Sequence, residues 1–177
     1  MGWNRSAAVW GALDRENGVA YLYREYYRAQ AEPVIHAGGI QAVGEWIQGV
    51  VDPAYLGSSQ IDGRTLMEMY GELGLNLQPA ANAMESGIYE LWDAFSTGRL
   101  RVFDTLPHWL SEFRKYHRDE KGKIVKKDDH LMDATRYWWV SGRDWLTDPP
   151  VKRDDDMLER LRRGGGGGFG GTGSWMR

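Results

Sequence analysis

Four side chains have the types and spacing to hold a hard divalent cation: Asp52, Asp129, His130 and Asp133. Asp129 and Asp133 stand four apart, and His130 and Asp133 three apart, so on a helix Asp133 shares a surface with both. Carboxylate oxygens with open water positions suit Mg2+ or Mn2+. Two such ions a few ångström apart can clamp the attacking and leaving oxygens of a phosphodiester. The same residues also fit a plain capped helix in which Asp133 pairs with Arg136. Asp52 precedes Pro53, and it reads either as a turn residue or as a ligand at the end of a strand.

The elements around these groups follow from pattern. Asp128 or Asp129 suits the N-cap of a helix carrying Leu131, Ala134 and Trp138 on one stripe, and Met132, Thr135 and Trp139 on another. Val50-Val51 is a short strand that Pro53 stops, which places Asp52 at the carboxyl end of a strand, where α/β sheets build their sites. Residues 118–127 carry five cations against two anions and read as a small hairpin turning at Lys121-Gly122. Lys121, Lys123, Lys126 and Lys127 lead straight into the acidic helix. They could hold a phosphate backbone or simply be a solvated face.

Upstream, residues 6–27 read as a hairpin of two apolar strands around Asn17-Gly18. Pro33 opens a helix expected to reach about Ile47. Tyr55 to Gly63 is a polar loop. Helices are expected over Thr65–Leu73, closed by Gly74, over Met84–Phe95 with Ile88, Leu91, Trp92 and Phe95 on one side, and from Pro107 to about Tyr116. Short strands are expected at Leu75–Pro79 and Leu100–Phe103. The resulting order, β-β-α-β-α-β-α-β-α-α, predicts an α/β or α+β domain with a mixed or parallel sheet covered by helices. His36, His108 and His117 read as helix-end or partly buried polar groups. Pro149-Pro150 marks an exit. Residues 152–163 are charged and weakly helical, and the glycines of 164–173 predict disorder.

The chain has 177 residues, enough for one core, and a formal net charge of −3. It has no cysteine, which excludes disulfides and thiolate metal sites. No segment approaches a membrane span, and the first residues lack the apolar core of a signal peptide. Motifs for a serine nucleophile elbow or a phosphate-binding loop are absent, and the glycine tail lacks the Lys-Ser/Thr that such a loop needs.

The stretches Gly2-Trp3-Asn4-Arg5-Ser6-Ala7-Ala8-Val9-Trp10-Gly11-Ala12, Tyr23-Arg24-Glu25-Tyr26-Tyr27, Val51-Asp52-Pro53-Ala54 and Asp128-Asp129-His130-Leu131-Met132-Asp133-Ala134-Thr135-Arg136-Tyr137 resemble the C-terminal nuclease domain of tailed-phage terminase large subunits over roughly residues 2–142. The resemblance implies a ribonuclease H-like fold, with a nuclease domain over 1–148 and a tail over 149–177. It also implies a two-metal endonuclease using Mg2+ or Mn2+ that cuts concatemeric double-stranded viral DNA in the host bacterial cytoplasm. The implied partners are an ATPase domain, a small terminase subunit and a portal, with no membrane. By position, Asp52 matches the second metal-binding acid and Asp133 the last. His130 and Asp129 match polar groups beside it that could ligate metal or orient water.

The family's first acid ends a central strand just ahead of the Gly-Trp-Asn turn, and here Met1 stands in that place. The sequence therefore predicts a truncated, fragmentary or split member in which the hairpin and the Val50-Val51 strand either leave an unpaired gap or close on each other with exposed edges, with weak metal binding and little cleavage. Two other readings remain: a non-catalytic module that docks DNA, a portal or a partner chain, and a different ribonuclease H-like nuclease or resolvase.

Overall fold

The computed structural model describes residues 5–57 and 65–149. β1 (Ser6–Asp14) and β2 (Val19–Arg28) form the expected antiparallel hairpin, with a register shift between Trp10 and Gly11. Asp14 closes the turn by accepting from the amides of Glu16 and Asn17 at 3.0 and 3.2 Å, while Gly18 takes the left-handed conformation at φ 66°. β5 (Leu100–Val102) joins β2 in parallel, giving a mixed three-stranded sheet in the order β1-β2-β5.

A second sheet pairs β3 (Gly49–Val51) with β4 (Leu77–Pro79) in parallel. Among the described residues no strand lies between β1 and β3. α5 (His130–Val140) bridges that interval by packing on both strands. The hinge of this packing is Trp138. Its indole fills the space that a side chain at Gly11 would need, and near Gly142 it borders the same space as Val50.

The core lies where α3 (Met84–Ser96), α4 (Pro107–Lys115) and α5 cover the larger sheet. It centres on Leu22, Ala94, Leu100, Leu106, Trp109 and Leu131. α1 (Pro33–Gln41) and α2 (Leu66–Glu72) pack on each other beside the smaller sheet.

Three local expectations need correction. α1 ends at Gln41, not near Ile47, because the amides of Val43 and Gly44 turn back to the carbonyls of Ile40 and Gln41 in tight three-residue turns. Gly38, Gly39 and Gly44 lower the cost of leaving the helix there. Trp92 is 70% exposed, because Gly87, Leu91 and Ala94 form the inward stripe of α3. Asp129 occupies the N-cap of α5, but its side chain makes no capping bond. The cap comes through space from α4: Glu112 Oε2 accepts from the Leu131 amide at 2.6 Å. Residues 58–64 of the polar loop and the tail from residue 150 lie outside the described residues.

Candidate metal centre

Asp52 leaves the end of β3 with its Oδ1 accepting from the Ala54 amide at 2.8 Å. That bond caps the short 3-10 helix Pro53–Leu56, so the turn role of Asp52 is real. The same side chain lines a cavity of about 540 Å3 together with His130, Asp133 and Tyr137 of α5. The strand end and the first turn of the helix therefore face one space.

Asp133 holds two cations. Its Oδ1 accepts from the Arg136 guanidinium at 3.0 Å and its Oδ2 from Lys126 Nζ at 2.9 Å. Arg136 is almost fully buried, packed over the Tyr137 ring at 4.4 Å, with a further bond to the Ala83 carbonyl. The plain pairing of Asp133 with Arg136 and a place on the cavity wall thus coexist. Lys126 also stands 3.2 Å from the buried Asp129 Oδ2. Burial pulls the Lys126 ammonium toward neutrality, but the bonds and charges of Asp133 and Asp129 outweigh it and hold its pKa above the ordinary value.

Tyr137 is the group that sequence reasoning missed here. Burial pushes its hydroxyl up, the bond to Arg136 works against this, and the negative charges of Asp52 and Asp133 push it further. Its position four residues after Asp133, on the same helical surface, was the available signal.

The remaining candidates separate. Asp129 is buried beneath Lys126 and does not line the cavity, whereas His130 is exposed and does. Lys121, Lys123 and Lys127 are exposed on the segment closed by the Arg118–Ile124 bridge and the left-handed Gly122. Of the four lysines, Lys126 alone turns inward to the acids. Glu25, at the end of β2, is occupied structurally: it accepts from the amides of His108 and Trp109 and caps α4.

The donor chemistry of Asp52, Asp133 and His130 suits a hard divalent ion, but the set is partial. Among the described residues, no three His, Asp or Glu side chains converge closely enough to hold a metal.

Comparison with known proteins gives a consistent picture. A family model described as the terminase RNaseH-like domain matches residues 4–141. The large terminase subunit of Salmonella phage P22 is 34% identical over 153 residues, covering 81% of this chain and 30% of that protein. The large subunit of Enterobacteria phage LP7 is 34% identical over 150 residues, covering 79% and 31%. The chain therefore spans less than a third of the length of these curated relatives. The solved nuclease domain of the P22 large terminase superposes with a TM-score of 0.69 at 33% identity, covering 81% of this chain and 78% of that one. The nuclease domain of the phage SPP1 large terminase, solved with bound Mn, superposes at 0.56 with 18% identity over 81% of each chain, a likeness of fold alone.

Proposed function

The chain belongs to the terminase ribonuclease H-like domain family, and on that premise we propose that it is the divalent-metal DNA endonuclease domain of a phage-packaging terminase large subunit, acting on concatemeric viral DNA. The observation that carries this reading is that Asp52, at a strand end, and Asp133, at a helix start, line one cavity. Exposed lysines at 121, 123 and 127 lie on the segment leading into that helix and suit contact with a phosphate backbone.

A bound Mg2+ or Mn2+ supplies an activated water and charge stabilisation for the leaving oxygen. Asp52 and Asp133 are the residues that would hold it, with His130 beside them. Arg136, packed over the Tyr137 ring, holds one oxygen of Asp133, and Lys126 neutralises the other. Two acids on one cavity and a competing ammonium make for weak metal binding and slow cleavage. The ATPase domain, small subunit and portal are partners proposed from the family alone.

The test is nicking of supercoiled plasmid with Mn2+. Slow nicking that disappears in Asp52→Ala and Asp133→Ala is expected. Robust Asp133-dependent nicking refutes the claim of weak activity, and nicking indifferent to both substitutions refutes the site.

One observation favours a second reading, a non-catalytic module docking DNA. Both oxygens of Asp133 are already satisfied by Arg136 and Lys126. Salt-sensitive DNA binding with no response to Mn2+ in binding or cleavage selects that reading.

A further inference from the structure

We propose that the outer face of the larger sheet is a platform for single-stranded nucleic acid, on which unpaired bases stack on Tyr21 and Phe103 while the sugar-phosphate backbone crosses Arg101 and Arg24. None of these four residues lines the cavity of Asp52 and Asp133. The platform is therefore a second surface, and it holds whether or not the cavity binds metal.

Strand alternation puts the four on one face. In β5, Leu100 and Val102 pack into the core, so Arg101 points to the other side. Phe103 follows it there, because its amide continues the ladder by donating to the Leu22 carbonyl at 3.0 Å. In β2, Tyr21 lies between the core residues Ala20 and Leu22 and so also faces outward. In β1, Val9 packs toward the core and Gly11 faces Trp138, so Trp10 between them belongs to the outer face, together with its register partner Arg24. Ala12, Tyr21 and Arg101 form one row across the three strands. Phe103 stands two residues further along β5, about 7 Å on.

This part of the face is open. α3, α4 and α5 cover the inner side, and α1 reaches the outer side only at its far end, where His36 packs on Tyr26. Phe103 is 46% exposed, Tyr21 is partly exposed, and Ala12 beside it is small and exposed. The Tyr21 and Phe103 rings meet edge to face, with centroids 6.1 Å apart and planes at 76°. A duplex keeps its base faces stacked inside and offers a surface only edges and phosphates. Unpaired bases offer their faces, and a flexible strand can splay successive bases onto rings set at a steep angle.

Charge selects the same occupant. Arg24 and Arg101 are exposed, and among the described residues neither is held in an ion pair. Along strand residues 6–13, 19–28 and 100–103 the sole acid is Glu25, which turns to the inner face and caps α4. Asp104 lies in the turn beyond Phe103. Two guanidinium groups beside two aromatic rings are complementary to an anionic partner with flat faces. Arg101, on the row of Tyr21, can pair with a phosphate or lay its plane on a base.

The test uses the full chain in EDTA, so its outcome is independent of cleavage. The probes are fluorescent strands of about ten residues, read by anisotropy: oligothymidylate, oligouridylate, an abasic strand with the same phosphates and no bases, and a duplex of the same length. Binding of either single strand, at least fivefold tighter than the abasic one, is expected, and the ratio of the two tells DNA from RNA. Phe103→Leu and Tyr21→Leu keep apolar bulk but remove the ring, and each should weaken single-strand binding about fivefold or more while leaving duplex binding unchanged. Phe103→Trp should restore it. Arg101→Gln should lower the slope of log affinity against log salt by about 0.7. In the unmutated chain, NMR signals of the Tyr21 and Phe103 rings should shift as oligothymidylate is added, a readout that needs no variant to fold. Equal binding of the abasic strand overturns the proposal, as do equal losses for duplex and single strand in the leucine variants, or shifts that leave both rings untouched. A dimeric mass in the unmutated chain that is lost in Phe103→Leu assigns the face to a second copy and also overturns it.

Discussion

Lys126 Nζ lies 2.9 Å from Asp133 Oδ2, so one of the two oxygens that Asp133 could offer a cation already holds an ammonium. The other oxygen is bound by the buried Arg136. Binding a metal at Asp133 therefore means displacing an ammonium. Lys126 is half exposed and on a short hairpin, whereas Arg136 is locked in the core. The lysine is the group that yields.

Replacing it should strengthen metal binding. Lys126→Met is expected to raise Mn2+ affinity about tenfold by calorimetric titration, an effect of about 1.4 kcal/mol. Unchanged affinity shows that Lys126 and the metal do not compete.

The start of α5 depends on Glu112, not on the two aspartates beside it. Glu112→Ala leaves the Leu131 amide without its partner in a buried position. The expected loss is about 2 kcal/mol in urea unfolding, with Glu112→Gln recovering most of it because its carbonyl oxygen can still accept. Asp129→Ala should weaken the helix start far less. Equal effects at 112 and 129 contradict the through-space cap.

The order and type of the elements were readable because the apolar periods are clear and the breakers, Pro33, Pro53 and Pro107, sit where helices begin or strands stop. Asp52 and Asp133 were readable as candidates because each stands at an element end. Three features were not. Glu112 caps a helix 19 residues away, which no local capping pattern encodes. Lys126 turns inward while its three neighbours in the basic run face solvent, and charge runs do not distinguish these fates. Trp92 reads as part of one apolar side with Ile88, Leu91 and Phe95, yet helical spacing alone leaves the edge of such a stripe undecided, and Trp92 is exposed.

Gly11 is required by contact and not by its dihedral angles. A Cβ there would lie 2.0 Å from Cζ2 of Trp138. Gly11→Ala forces the indole out of its place under β1, and a loss of about 3 kcal/mol is expected in chemical unfolding. A Trp138→Leu background should relieve much of it. An additive double mutant rules out the contact as the cause.

His36 gives the fold an acid-sensitive point. It is 3% exposed, and its Nδ1 is 2.9 Å from the Tyr26 hydroxyl. Burial lowers its pKa below 6.5, and the charge of Arg28 lowers it further, against an opposing bond to the Ala31 backbone. The unfolded chain therefore binds the proton more readily. The contribution of this group is complete above pH 6.5 and is lost as pH falls below it toward the folded-state value. Urea midpoints taken from pH 7 to pH 5 should decline less steeply in His36→Gln than in the parent chain. Parallel declines show that His36 is not the sensor.

The central claim is that Asp52 and Asp133 face one shared cation position. Paramagnetic broadening by Mn2+ in amide NMR spectra tests it directly. Broadening centred jointly on the amides around Asp52 and around His130 to Asp133, and removed from both by Asp133→Asn, is the predicted result. Broadening at one of the two segments alone, or centred elsewhere on the chain, contradicts the claim.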